Sequence, residues 1–217
     1  IFLVYAIFGR YMPGLFMHRG YNWHRVVTYL TTDIYGIYGT SVKVAATYIV
    51  LFIIFGEVMN KCGMGQFFND IANALAGHTK GGPAKVAVLA SGFLGSINGS
   101  AVANVVTTGT FTIPMMKDRG YEPHYAGAVE SVASTGGMIM PPVMGVGAFI
   151  MSGIIGVPYA KIALCALIPA LFYYVTCGVS VHLRALRNGF KPLPDELIPN
   201  KKELFKKDGI FFLPLLA

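Results

Sequence analysis

The stretch FLGSINGSAVANVVTTGTFTIP, residues 93–114, places Ser96, Asn98, Ser100, Asn104 and four threonines among strongly apolar neighbours, with three glycines, Gly95, Gly99 and Gly109, that are expected to interrupt any long helix. A second stretch, STGGMIMPP at residues 134–142, sets Gly136, Gly137, Met140, Pro141 and Pro142 in the middle of another apolar run. Neither has a nucleophile–base pairing or a metal-type cluster of His, Cys and carboxylates, so catalysis has no support. What they offer is oxygen. Prolines lack the backbone N–H and glycines loosen the turn before them, so nearby carbonyls lose their helical partners. Freed carbonyls and half-helix ends inside a membrane protein can hold a cation. The second stretch therefore predicts a discontinuous helix, 123–137 and then 141–156; a Pro-kinked structural span fits the same residues.

The surrounding elements must explain why such polarity sits in such a chain. Of 217 residues, 54% are hydrophobic and 12% are charged, the latter about half the usual share for a soluble domain. Mean hydropathy is +0.58. The runs VKVAATYIVLFIIFG (42–56) and YAKIALCALIPALFYYVTCGVSVHL (159–183) approach or exceed the roughly 20 apolar residues that cross a bilayer. Fold class is therefore all-α and polytopic in a membrane. The net charge of +7 gathers at Arg10, Arg19 and Arg25, at Lys117 and Arg119, and from Arg184 to Lys207. In a membrane protein that is an orientation signal. No aromatic residues interleave with a basic groove, so nucleic acid is not an expected partner. Cys62, Cys165 and Cys177 lack metal spacing and read as small apolar packing residues. The chain begins inside an apolar run and ends in FFLPLLA, and the expectation is a portion of a longer membrane protein.

Read in order, residues 1–41 are the end of a span and an interfacial loop. Residues 42–80 hold a span, 42–59, and an amphipathic helix, 64–78. In that helix Met64, Phe67, Phe68, Ile71, Ala72 and Leu75 recur at helical spacing, with Asn69, Asp70 and Asn73 on the other face. A helix lying in the interface and a packed cytoplasmic arm both fit it. Residues 81–120 form two arms around GSING, the first running from Pro83 to Leu94, roughly 18 Å as a helix, with Lys80 and Lys85 outside one and Lys117 and Arg119 outside the other. Equal charge at both ends predicts a re-entrant hairpin that enters and leaves on the cytoplasmic face. Its unwound tip would be buried in protein or line a wet cavity. Two short helices with a glycine turn outside the membrane are the alternative. Residues 121–157 are the discontinuous helix, 158–187 a further span, and 188–217 a cytoplasmic loop with the start of the next span. The side of residues 10–40 stays open. An interfacial 64–78, the preferred reading, leaves three arginines outside, against the positive-inside rule. A crossing 64–78 removes that conflict but carries Asn69, Asp70 and Asn73 into lipid or a packed interior.

The combination GSxxGSAVANV, IPxMKxRGY and GGxIMPP, spread between about Gly56 and Arg187, resembles the large membrane subunit of tripartite ATP-independent periplasmic (TRAP) transporters. VVTTGTFTIP and GRYMPGLFMHRGY look most like fused permeases that work with TAXI-type binding proteins. The resemblance implies a sodium-driven importer of small organic acids in the bacterial or archaeal inner membrane. It implies a periplasmic binding protein as partner, membrane lipid around the spans and a small membrane subunit fused in the full-length chain. It further implies two inverted repeats and elevator motion, with the first repeat here and no cofactor beyond the coupling ion.

Carried over by position, the hairpin tip at Ser96, Asn98, Gly99 and Ser100 would face Gly137, Met140 and Pro142. With Asn104, Gly136 and Pro141 these are the candidate sodium and substrate residues. Many relatives have a serine after the double proline; Val143 stands there instead, which removes a hydroxyl ligand from that position. Glu130 is a candidate coupling group, since an acid inside a span is a functional candidate by default; a hydrogen-bonded structural partner is the other reading. Glu57 and Lys61 stand at i,i+4 and suggest a surface pair, and His124 suggests an interfacial helix start. Rival readings are a divalent-anion elevator symporter without a binding protein, and an enzymatic or structural membrane subunit.

Overall fold

The computed structural model describes residues 1–33, 36–190, 192–194 and 198–199, and those residues contain helices and no strand. A first helix, α1 (Phe2–Phe8), leads through short 3-10 turns to α2 (Trp23–Thr32). The expected loop of residues 9–41 thus holds a helix of its own. Its apolar residues Val26 and Leu30 fall on one face beside Tyr29, a pattern masked in the sequence by flanking Gly, Tyr and Arg. The first span is one continuous helix, Val42–Lys61. It combines the end of α3 (Thr40–Val44), a π-helical turn (Ala45–Ile49) and α4 (Val50–Lys61).

Gly63, at φ 95°, ends that span and turns the chain into α5 (Met64–Ala76). Met64, Phe67, Phe68, Ile71 and Ala72 of α5 are buried, as their spacing requires, while Leu75 is exposed. The first four pack on Leu94 and Ile97 of α6 (Gly82–Asn98), and Ala72 packs with Val86 and Ala90 of the same helix. The helix is therefore a packed arm. Asn69, expected on its wet face, is buried instead.

A turn of two residues, Gly99 and Ser100, joins α6 to α7 (Ala101–Lys117). At 17 residues each, the arms are about 25 Å long at 1.5 Å per residue. The first is longer than the sequence suggested. Of the three glycines expected to interrupt, only Gly99 does so, at φ 58°. Gly95 and Gly109 lie within helices, and Ser96, Ile97 and Asn98 form the last turn of α6. The strict turn follows from chain geometry: one left-handed residue reverses the direction, and helical hydrogen bonds continue up to it.

The base of the hairpin closes around Tyr121, which stacks on Phe190 with ring centroids 3.8 Å apart. Burial, with Tyr125 alongside, pushes its hydroxyl up to about 12. Next comes α8 (Pro123–Thr135), a 3-10 turn (Gly136–Met138), a bent non-helical segment, and α9 (Val146–Ile155). The break is real and wider than expected, since the second half-helix starts at Val146 instead of residue 141. Finally α10 (Tyr159–Asn188) runs unbroken through Pro169.

Helix α6 is the centre: α5, α7, α8 and the break all lie against it. The outer faces of the span and of α10 turn Leu51, Ile53, Ile54, Leu164, Ile168 and Phe172 outward. Val42–Lys61 and Tyr159–Asn188 are each long and apolar enough to cross a membrane. Cys62 and Cys165 are exposed and Cys177 is half-buried, all three free, so only Cys177 fits the packing role expected of them. Ion pairs join Glu122 to His124 and to Arg184; Glu57 and Lys61 do not pair with each other. The expected start of a next span lies outside the described residues.

Candidate functional site

Two polar places lie along α6, and each is built from helix spacing. In the first, Ser91 of α6 faces Thr108 and Thr112 of α7 and Glu130 and Ser134 of α8. The pairs 108/112 and 130/134 are i,i+4 neighbours, so each helix presents both groups on one face. Ser91 Oγ and Ser134 Oγ donate to Glu130 Oε1, each at 3.1 Å. Thr108 Oγ1 reaches the same oxygen, and Thr112 Oγ1 reaches Oε2 at 2.5 Å. The threonine hydroxyls also lie 2.8 and 3.0 Å from the carbonyls of Asn104 and Thr108. Glu130 and its partners are fully buried. Gly109 has a reason here: a Cβ at that position would sit 3.2 Å from Glu130 Cγ.

The second place is the junction between the hairpin and the break, one turn further along α6. Gly95 and Gly137 meet backbone to backbone: a Cβ on Gly95 would stand 2.5 Å from Gly137 Cα. Asn104 reaches into the same contact. Its Nδ2 donates to Ser91 O at 2.8 Å, and its buried Oδ1 accepts no hydrogen bond among the described residues. Beyond it the Val143 N–H donates to Ser96 O at 2.8 Å. Gly99 is pressed on the same segment, where a Cβ would lie 2.6 Å from Met144 O and 2.9 Å from Val143 O. These two carbonyls take no hydrogen bond among the described residues.

The structure thus brings Ser96, Gly99 and Asn104 to the break, and Gly137 with them. The contact of the tip is with Val143, Met144 and Gly145, a few residues beyond the expected Gly137, Met140 and Pro142. Met140 and Pro141 are half-exposed and lie in the bend that precedes the residues meeting the tip, a bend closed by the Gly145 N–H donating to Met138 O at 2.7 Å. Asn98 accepts from the Ser100 N–H at 3.1 Å, and Ser100 caps α7 through the Ala103 N–H at 3.4 Å. Asn98 and Ser100 line a cavity of about 230 Å³ together with Glu57 and Asn60 of the first span. Gly136 makes room: a Cβ there would stand 2.5 Å from the Tyr173 ring and 2.8 Å from that of Tyr174.

Those tyrosines belong to α10, and sequence reasoning missed them. Tyr173 and Tyr174 donate to the carbonyls of Val132 and Ala133, at 2.6 and 3.1 Å. Tyr159 donates to Pro142 O at 2.7 Å and accepts the Met144 N–H at 3.1 Å. Tyr159 therefore occupies one carbonyl of the break, Pro142 O, while Val143 O and Met144 O face the tip at Gly99. The adjacent pair Tyr173–Tyr174 inside an apolar span was the available signal, since buried tyrosine hydroxyls need partners. No cluster of three or more His, Cys, Asp or Glu positioned for a metal occurs among the described residues.

The family model described as "Tripartite ATP-independent periplasmic transporter, DctM component" matches residues 1–216. The 2,3-diketo-L-gulonate TRAP transporter large permease protein YiaN of Escherichia coli is 30% identical over 173 residues, 77% of this chain and 39% of that protein. The sialic acid TRAP transporter large permease protein SiaM of Vibrio cholerae is 26% identical over 167 residues, 76% of this chain and 38% of that protein. The isethionate TRAP transporter permease protein DctMQ of Oleidesulfovibrio alaskensis is 32% identical over 94 residues, 43% of this chain and 15% of that protein. The chain spans less than half the length of these relatives.

Proposed function

We propose, from the premise that the chain belongs to the DctM-component family of tripartite ATP-independent periplasmic transporters, that it supplies the first repeat of a sodium-coupled carrier for a small organic acid. Such families are secondary transporters and not enzymes. The observation that carries the sodium reading is the pattern of unbonded oxygens. Val143 O, Met144 O and the buried Asn104 Oδ1 lie within about one turn of α6 and have no donor among the described residues. A buried oxygen without a partner is costly unless a ligand supplies the charge. Hard oxygens from unwound backbone suit sodium without needing a buried acid.

The rest of the proposal follows the family. The carrier is multi-pass in the inner membrane and takes its substrate from a periplasmic binding protein, of the TAXI type. Its small membrane subunit is fused in the same full-length chain, an arrangement in keeping with the name DctMQ of the Oleidesulfovibrio alaskensis relative. The relatives named for 2,3-diketo-L-gulonate, sialic acid and isethionate favour an organic acid as the cargo class. A second, inverted hairpin and broken helix complete the site from the remainder of the chain.

The test is uptake into proteoliposomes of the full-length carrier, using a panel of radiolabelled carboxylates and sugar acids. Each is assayed with and without the cognate binding protein, under an inward sodium or choline gradient. Uptake that needs both sodium and the binding protein is the expected result. Uptake of free acid without the binding protein supports the divalent-anion symporter, and uptake indifferent to sodium removes the ion site.

A further inference from the structure

The backbone of residues 142–144 is pinned from two sides. On the hairpin side, Ser96 O takes the Val143 N–H. On the other, one hydroxyl does two jobs: Tyr159 Oη donates to Pro142 O and accepts the Met144 N–H, at 2.7 and 3.1 Å. Its donor and one acceptor position are both spent on atoms flanking Val143. What remains unpinned on that segment is the pair of carbonyls, Val143 O and Met144 O, that face Gly99.

The tyrosine ring is itself held. It stacks on Phe149 of α9 with centroids 4.3 Å apart and planes within 1°. Phe149 in turn meets Phe52 of the first span at 5.2 Å. The hydroxyl is therefore delivered to the segment by a rigid ring, from the first residue of α10. A flexible side chain would lose entropy in making the same two bonds; a seated ring has little left to lose.

We infer that Tyr159 is a positioning residue for the cation site: it holds Val143 O and Met144 O aimed at the hairpin tip without touching the ion. This rests on the sodium reading above. Prepaid orientation of ligands appears as affinity, since the ion no longer supplies the ordering of the loop. Removing the hydroxyl while keeping the ring should weaken sodium binding and leave the number of sites unchanged.

The experiment is direct binding of radioactive sodium to the purified full-length carrier, with choline replacing sodium to hold ionic strength. Tyr159→Phe is expected to raise the sodium Kd by about three- to tenfold, the scale of one or two lost hydrogen bonds. Maximal binding should stay within about twofold of wild type. A merely structural hydroxyl would do the reverse, lowering the competent fraction at unchanged Kd, and that result overturns the proposal. Should Tyr159→Phe not assemble, Phe149→Leu unseats the ring with the hydroxyl retained, and is read the same way. A raised Kd supports positioning and an unchanged Kd overturns it. Wild-type carrier that binds no sodium is the separate failure of the ion-site reading, and the positioning role falls with it.

Discussion

Around Glu130, both carboxylate oxygens meet hydroxyls, and α6, α7 and α8 are tied together by the result. One turn along α6, at the hairpin–break junction, polar atoms are just as buried, yet Asn104 Oδ1 and two backbone carbonyls end without a donor among the described residues. The difference separates two uses of polarity in an apolar chain. A closed network is its own ligand shell and holds helices in place. An open one has oxygen to spare. From composition both look alike, because serine, threonine and asparagine supply each of them.

The largest effect is expected where the open junction is filled. Gly99 has a left-handed φ of 58° and no room for a Cβ beside Met144 O and Val143 O. Gly99→Val adds a branched side chain at both faults, and the left-handed backbone alone costs about 1–2 kcal/mol for a non-glycine residue. Transport and sodium binding should be abolished, with the carrier still inserted and monodisperse. Near-wild-type sodium uptake in this variant would show that the junction is not where the ion sits.

The closed network should respond in the opposite sense, in stability more than in binding. Glu130→Ala leaves Ser134 without its acceptor, while Ser91 keeps Thr108 Oγ1 at 3.3 Å and Thr108 and Thr112 fall back on the carbonyls of Asn104 and Thr108. A buried cavity plus one orphaned hydroxyl costs about 2–4 kcal/mol. Glu130→Gln keeps the shape and lets the hydroxyls rotate to accept, so it should cost less than half as much. Thermal unfolding of the detergent-solubilised carrier checks the ranking, and sodium Kd should move less than about twofold in Glu130→Gln. If Glu130→Gln unfolds normally yet no longer responds to sodium, Glu130 is a coupling group and the contrast with the junction dissolves.

How much of this was legible in the sequence depends on the range of the forces involved. The hairpin, the interrupted helix and the two spans follow from local features: apolar run length, the Gly99 turn and the double proline. So does the buried face of α5. The extent of the break was not legible, because the non-helical course of residues 139–145 is held by Ser96 and Tyr159, which lie far away in the chain. Gly95 and Gly109 were misread as breakers for a related reason. Glycine within a helix carries no local mark distinguishing a stop from a close approach, and only the Gly137 backbone and the Glu130 side chain supply that information. Similarly, Ser96, Gly99 and Asn104 were legible as site candidates from their polarity, whereas Val143 and Met144 contribute backbone oxygens and could not be.

The smallest effect, and the sharpest probe of the boundary between the two kinds of polarity, is expected at Ser100. Its side chain stands at the tip, where an ion ligand would stand, but its Oγ accepts the Ala103 N–H at 3.4 Å and caps α7. That length marks a weak cap, and losing an N-cap hydroxyl typically costs about 0.5–2 kcal/mol, so Ser100→Ala belongs near the lower end. The same hydroxyl keeps its O–H free to turn toward the cavity shared with Glu57 and Asn60. As a cap alone, Ser100→Ala should lower the unfolding temperature slightly and leave the sodium curve unmoved. As a ligand among several oxygens, it should weaken sodium dependence by a small factor, since the carbonyls remain. We expect the second outcome, a sodium half-saturation raised about two- to threefold at full maximal uptake, the scale of one modest hydrogen-bond-sized interaction. An unmoved curve with lowered stability would assign Ser100 wholly to the cap and confine the open junction to Asn104 and the two carbonyls beyond the prolines.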